Sequence, residues 1–191
     1  VTNLRALDLP ANHITDISAI SGLSHLEYLS LGSNQITDIR AISGLIKLTM
    51  LDLTHNRIVD LTPLVNLTQL VDLRLSGNQV VDVSALSNLT HLAALDLASN
   101  RLVDVNALSC LVNLASLSLS ENGIDNLLPL SSLVKLEGLW LSSNAIIDIS
   151  PLSDLTDLRV LSLGSNQIVD ISALAGLVDL IELDLNENQI V

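Results

Sequence analysis

The sequence has no phenylalanine and only one residue each of tryptophan, tyrosine, methionine and cysteine. The single cysteine, Cys110, excludes a disulfide within the chain. Basic residues are scarce as well. Eight Lys and Arg stand against 21 Asp and Glu, and the net charge of −13 argues against nucleic acid and anionic membrane surfaces as partners. Although 49% of the residues are apolar, no run of them approaches the roughly 18 that a spanning helix needs, so membrane insertion is not expected. There is no Gly-rich phosphate loop, no Gly-x-Ser-x-Gly, and no secretion or lipidation motif.

What the chain does have is a repeat. The stretch from His25 to Ile46 returns every 22 residues, with units starting at Asn3, His25, Lys47, Gln69, His91, Asn113, Lys135, Asp157 and Asp179. That makes eight full units and a partial ninth without an insertion, and residues 1–191 are expected to form one domain. Val1 and Thr2 read as the end of an earlier unit. No polar cap closes either terminus, so a longer parent protein is expected, and exposed terminal coils offer an end-to-end self-association.

Within the unit the apolar positions are Leu26, Leu29, Leu31, Ile36, Ile39, Ile42 and Leu45, and each matching position elsewhere is also Leu, Ile or Val. The steps never alternate three and four as an α-helix requires. The step of two predicts a short strand with Leu29 and Leu31 inward and Tyr28 and Ser30 outward. The following steps of three predict a 3₁₀ or extended return, because residues three apart eclipse on one side.

An asparagine occupies one corner in every unit, from Asn12 and Asn34 to Asn188. Its amide has donors and an acceptor for the turn backbone of its own coil and the next, whereas stacked aspartates would repel. The column Asp16, Asp38, Asp60, Asp82, Asp104, Asp148, Asp170 raises the possibility of calcium, but capping of the return segment is the stronger expectation. A Ser/Thr/Asn column is expected to assist it, and Pro63, Pro129 and Pro151 suit the first position of a turn. The sixth unit has Asn126 and Leu128 in place of the usual Asp and Ser, which predicts a local irregularity.

The framework Leu-x-x-Leu-x-Leu-x-x-Asn-x-Ile resembles the leucine-rich repeat over the whole chain. The second half of the unit, as in Asp148-Ile149-Ser150-Pro151-Leu152, resembles the 22-residue repeats of internalins and similar bacterial surface proteins. Regulatory proteins of the SDS22 kind have repeats of equal length. The resemblance implies an α/β repeat solenoid with a parallel β-sheet on the concave face and 3₁₀ or extended segments on the convex one. It further implies a protein-binding module, secreted or at the bacterial cell surface. The alternatives are a cytoplasmic SDS22-type regulatory subunit, a structural spacer and an engineered array.

The residues themselves point away from catalysis. His25 and His91 share a column three coils apart, about 14 Å at strand spacing, and His13 and His55 lie in other columns, so no metal site is expected. No nucleophile, base and orienting group come together, so neither enzyme activity nor a cofactor is expected. The tripeptides Asn66-Leu67-Thr68 and Asn88-Leu89-Thr90 match a glycosylation sequon, but the repeat wording itself generates them. Cys110 stands in a column of small and polar residues, a solvent-edge position.

Protein contacts are therefore expected on the outward strand columns. Trp140 and Tyr28 both fall there, with Met50 next to Tyr28, and aromatics that a core does not need are interface anchors. Small residues at Gly138 and Ser118 are expected to leave room around the indole. Asp52, Arg74 and Asp96 follow one another across neighbouring strands with Asp72 beside them, which predicts cross-strand pairing or a polar contact patch. The centre of the face, Ala94, Asp96, Ser116 and Ser118, is small and bland, and the face is poorer in aromatics than those of internalins that bind host receptors.

Overall fold

Each coil contributes one strand to a single sheet, and the computed structural model describes this over residues 3–191, so Val1 and Thr2 lie outside the described residues. The strands are β1 (Ala6–Asp8), β2 (Tyr28–Ser30), β3 (Met50–Asp52), β4 (Asp72–Arg74), β5 (Ala94–Asp96), β6 (Ser116–Ser118), β7 (Gly138–Trp140), β8 (Val160–Ser162) and β9 (Glu182–Asp184). They lie side by side in chain order, all parallel. The register is the repeat itself: Leu29 is opposite Leu7 and Leu51 because each is displaced by one 22-residue unit. With one strand per coil, the sequence columns become rows across the sheet, which forms the concave face of the solenoid.

The return is a 3₁₀ turn in each of the first eight coils, from Ser18–Ile20 to Ser172–Gly176, and no α-helix occurs among the described residues. The predicted inward residues fill the interior: Leu26, Leu29, Leu31, Ile36, Ile42 and Leu45 are inaccessible to solvent, their equivalents from Leu48 through Ile168 are nearly so, and those of the first coil, Leu4, Leu7, Leu9 and Ile14, are partly buried. Full burial of one such side chain stabilises by about 1.5–3 kcal/mol. Each coil buries its leucines only against its neighbours, so the core grows one coil at a time.

The asparagine corners form a continuous ladder. The Asn56 amide donates to the carbonyls of Leu53 and Thr54 in its own coil and of Leu31 in the preceding one, while its Oδ1 accepts from Ile36 N–H at 2.9 Å. The inter-coil partner is thus the preceding coil, not the following one. Leu53 O accepts from both Asn56 and Asn78, so each leucine carbonyl links two successive amides. No buried side-chain nitrogen or oxygen among the described residues is left without a partner.

Immediately before each asparagine the backbone turns left-handed. Ala11, Ser33, His55, Ser99, Glu121, Ser143, Ser165 and Glu187 have φ of 51–59°, and Gly77 has 68°. Eight of these nine corners therefore hold a side chain where glycine is at ease, a cost of about 1–2 kcal/mol each. The corner bonds and the leucine core hold them there.

On the convex side the acidic column caps as expected. Asp60 Oδ1 accepts from Thr62 N–H at 2.8 Å and Oδ2 from the Thr62 hydroxyl at 2.9 Å, and the same pair recurs at Asp16, Asp82, Asp148 and Asp170. The sixth coil is not irregular. Asn126 Oδ1 accepts from Leu128 N–H at 3.0 Å, because an amide oxygen serves as well as a carboxylate, and Leu128–Leu130 is an ordinary turn. The lengthened turns are instead Asn106–Cys110 and Ser172–Gly176.

Three outcomes follow from these corners and caps. Asn78→Ala strands the Ile58 N–H and leaves the Leu53 and Leu75 carbonyls with one amide donor each, from Asn56 and Asn100, so urea unfolding should show a loss of about 1–3 kcal/mol for the one orphaned group; a loss below ~0.5 kcal/mol would contradict the ladder. Ser143→Gly relieves about 1–2 kcal/mol of left-handed strain and adds about 0.4–1 kcal/mol of unfolded-state entropy. The urea midpoint should therefore rise by the equivalent of about 0.5–1 kcal/mol, not fall. Finally, the Arg40 side chain and backbone N–H hold the Asp38 carboxyl down at about 2, and the Thr62 and Ser150 backbone bonds lower Asp60 and Asp148. Depressed carboxyls stabilise above the unfolded value near 3.9 and lose this as pH falls toward 2. Asp38→Asn keeps the cap acceptor without titrating, so its melting-temperature gap from wild type should shrink between about pH 5 and 2.

Candidate functional site

The strand face presents two outward rows, fixed by register. One runs Ala6, Tyr28, Met50, Asp72, Ala94, Ser116, Gly138, Val160, Glu182, and the other Asp8, Ser30, Asp52, Arg74, Asp96, Ser118, Trp140, Ser162, Asp184. No inward leucine depends on either row, since strand neighbours point to opposite faces.

Tyr28, Met50 and Asp72 are adjacent in the first row on β2, β3 and β4, and each is half-buried. Arg74 completes this group. It does not pair across strands with Asp52 or Asp96 but folds back along its own strand, with Nε 3.2 Å from Asp72 Oδ1 and an Nη 2.8 Å from Oδ2. That fork raises the arginine pKa further. The bond is local because residues i and i+2 of one strand share a face. With Arg74 half exposed, the pair is worth little to stability, about 0–1 kcal/mol.

Asp52 and Asp96 have another occupation. Asp52 Oδ1 accepts from Thr54 N–H at 2.9 Å and Asp96 Oδ1 from Ala98 N–H at 3.1 Å, so both close the turn that leaves the strand. Asp184 does the same for Asn186 at 3.0 Å. The charge series that suggested cross-strand pairing is thus a row of turn-forming carboxylates interrupted by one arginine.

Trp140 stands between Ser118 and Ser162 on β7. The space expected around it is taken by the indole itself, which lies over Gly138: a Cβ added there would be 2.5 Å from Cη2 and 2.8 Å from Cζ3. Gly138 is buried although it belongs to an outward row, because the ring covers it. The sequence places a glycine beside the indole, and the structure makes it the seat of the ring. The signal was available, since Gly138 is the sole glycine in its row and precedes the sole tryptophan by two residues. Beside the ring, the Ser142 and Ser162 hydroxyls pair at 2.7 Å.

The face therefore divides into two patches. Tyr28, Met50, Asp72 and Arg74 form one, Trp140 the other, and five strand intervals, about 24 Å, separate β2 from β7. No group of three or more His, Cys, Asp or Glu among the described residues is placed to hold a metal, and no described helix is long and apolar enough to cross a membrane. Shallow grooves lie between convex turns, such as one of about 610 Å³ along Asp16, Ser18, Asp38 and Arg40, and another lies ahead of the strands at Glu137, Asp157, Arg159 and Asp179.

Comparison with known proteins agrees with this geometry. The family model described as leucine rich repeat matches residues 2–58 and 68–124, and that for two copies of the repeat matches 46–88, 134–176 and 156–191. Among curated proteins there is no match. Among solved structures, an internalin (inlF) from Listeria monocytogenes is 36% identical over 99% of this chain, with a TM-score of 0.82. Internalin C2 (inlC2) from the same organism is 36% identical over 94% of this chain, with a TM-score of 0.92. The chain spans 62% of the first and 80% of the second. The functional domain of InlJ, also from Listeria monocytogenes, is 23% identical over 97% of this chain and 44% of its own, and at a TM-score of 0.80 it shares the fold. The chain belongs to the leucine-rich repeat family and is internalin-like within it.

Proposed function

We propose that the chain is a non-enzymatic protein-recognition module, displayed at a bacterial surface or secreted, that contacts its ligand through the concave strand face. The observation that carries this is Trp140: the one tryptophan lies where the fold has no use for it, its six-membered ring packed against Gly138. An aromatic held in one orientation loses little freedom on binding, and such residues dominate interface energies. Tyr28, Met50, Asp72 and Arg74 make the second anchor. A partner burying about 800 Å² per side is broad enough to cover both patches. Asp52 and Asp96 contribute charge at the rim while holding their turns. The internalin relatives support a surface or secreted setting.

The direct experiment immobilises the chain, screens it against extracellular receptor domains, and measures the affinity of Trp140→Ala and Tyr28→Ala for the partner found. Loss of the tryptophan should weaken binding by roughly 2 kcal/mol, about 30-fold, with the melting temperature maintained. Wild-type affinity in both variants would place the ligand elsewhere.

A further inference from the structure

Away from the strand face, the flank descending from the asparagine corners carries a second organised surface. Residues 35 and 37 of the second coil are more accessible than the buried Ile36 between them, and residues 57 and 59, and 101 and 103, flank the buried Ile58 and Leu102 in the same way. In the third to fifth coils the second of these positions is Val59, Val81 and Val103, exposed by 53%, 55% and 58%. The first two coils have exposed Thr15 and Thr37 at the same place between corner and turn, so the fold does not require valine.

Charge brackets these valines on both sides. On the corner side stand Arg57 and Arg101, exposed and in no ion pair among the described residues, in a chain with only eight basic residues. On the turn side stand the exposed carboxylates of Asp60, Asp82 and Asp104. Between the fourth and fifth coils a groove of about 330 Å³ opens beside the ridge, lined by Val81, Asp82, Asp104 and Asn106 among others. The result is an apolar ridge with a cationic edge and an anionic, grooved edge.

We propose that this ridge docks an amphipathic α-helix of a partner protein, lying along the solenoid axis. Its apolar stripe meets Val59, Val81 and Val103, acidic side chains on one flank reach Arg57 and Arg101, and a basic side chain on the other enters the groove at Asp82 and Asp104. The spacing selects a helix over a strand. Beside the valines successive coils are joined by backbone bonds, Gln79 N–H to Ile58 O and Arg101 N–H to Val80 O at 2.9 Å, so they repeat near the strand spacing of about 4.8 Å against about 5.4 Å for helical turns, a misfit near 1 Å over the three valines. Same-face residues of a strand repeat at about 6.7 Å, a misfit near 4 Å. The surface is separate from the concave face and does not depend on the function proposed for it.

The test uses the whole chain and a fluorescein-labelled, lactam-stapled helix with Leu at i, i+4 and i+7, Glu along one flank and Lys along the other, followed by anisotropy. Saturable binding is expected. It should weaken at least fivefold with Val81→Thr, which the first two coils show to be compatible with the fold, disappear with Val81→Glu, and stay unchanged with Trp140→Ala. The pair Arg57→Glu with Arg101→Glu should weaken this peptide at least fivefold and strengthen one with Lys on both flanks. Absence of saturable binding, or indifference to these substitutions, overturns the proposal. So does a dimer, seen by sedimentation equilibrium, that Val81→Glu dissociates, because the ridge would then belong to a second copy of the chain.

Discussion

The corner after each strand imposes the constraint on which the rest of the structure depends. There the chain turns sharply next to a dry leucine interior, and although alternate groups such as Ser33 N–H bond to the neighbouring coil's backbone, others such as the Leu31 carbonyl and the Ile36 N–H are met by asparagine side chains. Leaving one such buried group unpaired costs about 1–3 kcal/mol. An asparagine at each corner meets the need, since a single amide gives hydrogens to both coils and takes one from the preceding coil. Because Leu31, Leu53 and Leu75 each share their carbonyl between consecutive amides, the corners join into one bonded line along the solenoid. The left-handed residue before each amide is tolerated on this account, even where it is serine, histidine or glutamate.

With the corner secured, the remaining positions separate into two kinds. Inward residues answer to packing, and only Leu, Ile and Val appear there. Outward residues answer to solvent or to a partner, and they vary from coil to coil. This separation lets a rigid frame present Trp140 on one face and a valine ridge on another without a change in the backbone. It also explains why Asp recurs on the convex side: its carboxylate closes the turn through Thr62, Ser84 or Ser150 N–H, and Asn126 can replace it without distortion.

Much of the architecture was legible in the sequence because a perfect repeat turns spacing directly into register. Strand positions, 3₁₀ returns, capping aspartates and inward leucines all came from periodicity. Three features did not. The left-handed corners were invisible because only Gly77 among them is a residue that advertises such a conformation. Arg74 and the aspartates around it were misjudged because sequence columns reveal which residues are neighbours but not which neighbour a flexible side chain prefers; Asp72 on the same strand and the turn N–H groups proved the nearer partners. The seating of the indole on Gly138 depended on a rotamer, which spacing cannot show. As for the site, Tyr28, Met50, Asp72, Arg74 and Trp140 do share the predicted face, though in two patches.

The amide ladder is tested most directly by native-state hydrogen exchange at the N–H groups of Ile36, Ile58, Val80, Leu102, Ile124 and Ile146, each bonded to the asparagine of the following coil. If that line of bonds holds the solenoid together, these amides exchange as slowly as the strand amides and open with them in one cooperative event. Exchange at the rate of exposed loop amides, while the strands stay protected, would contradict it.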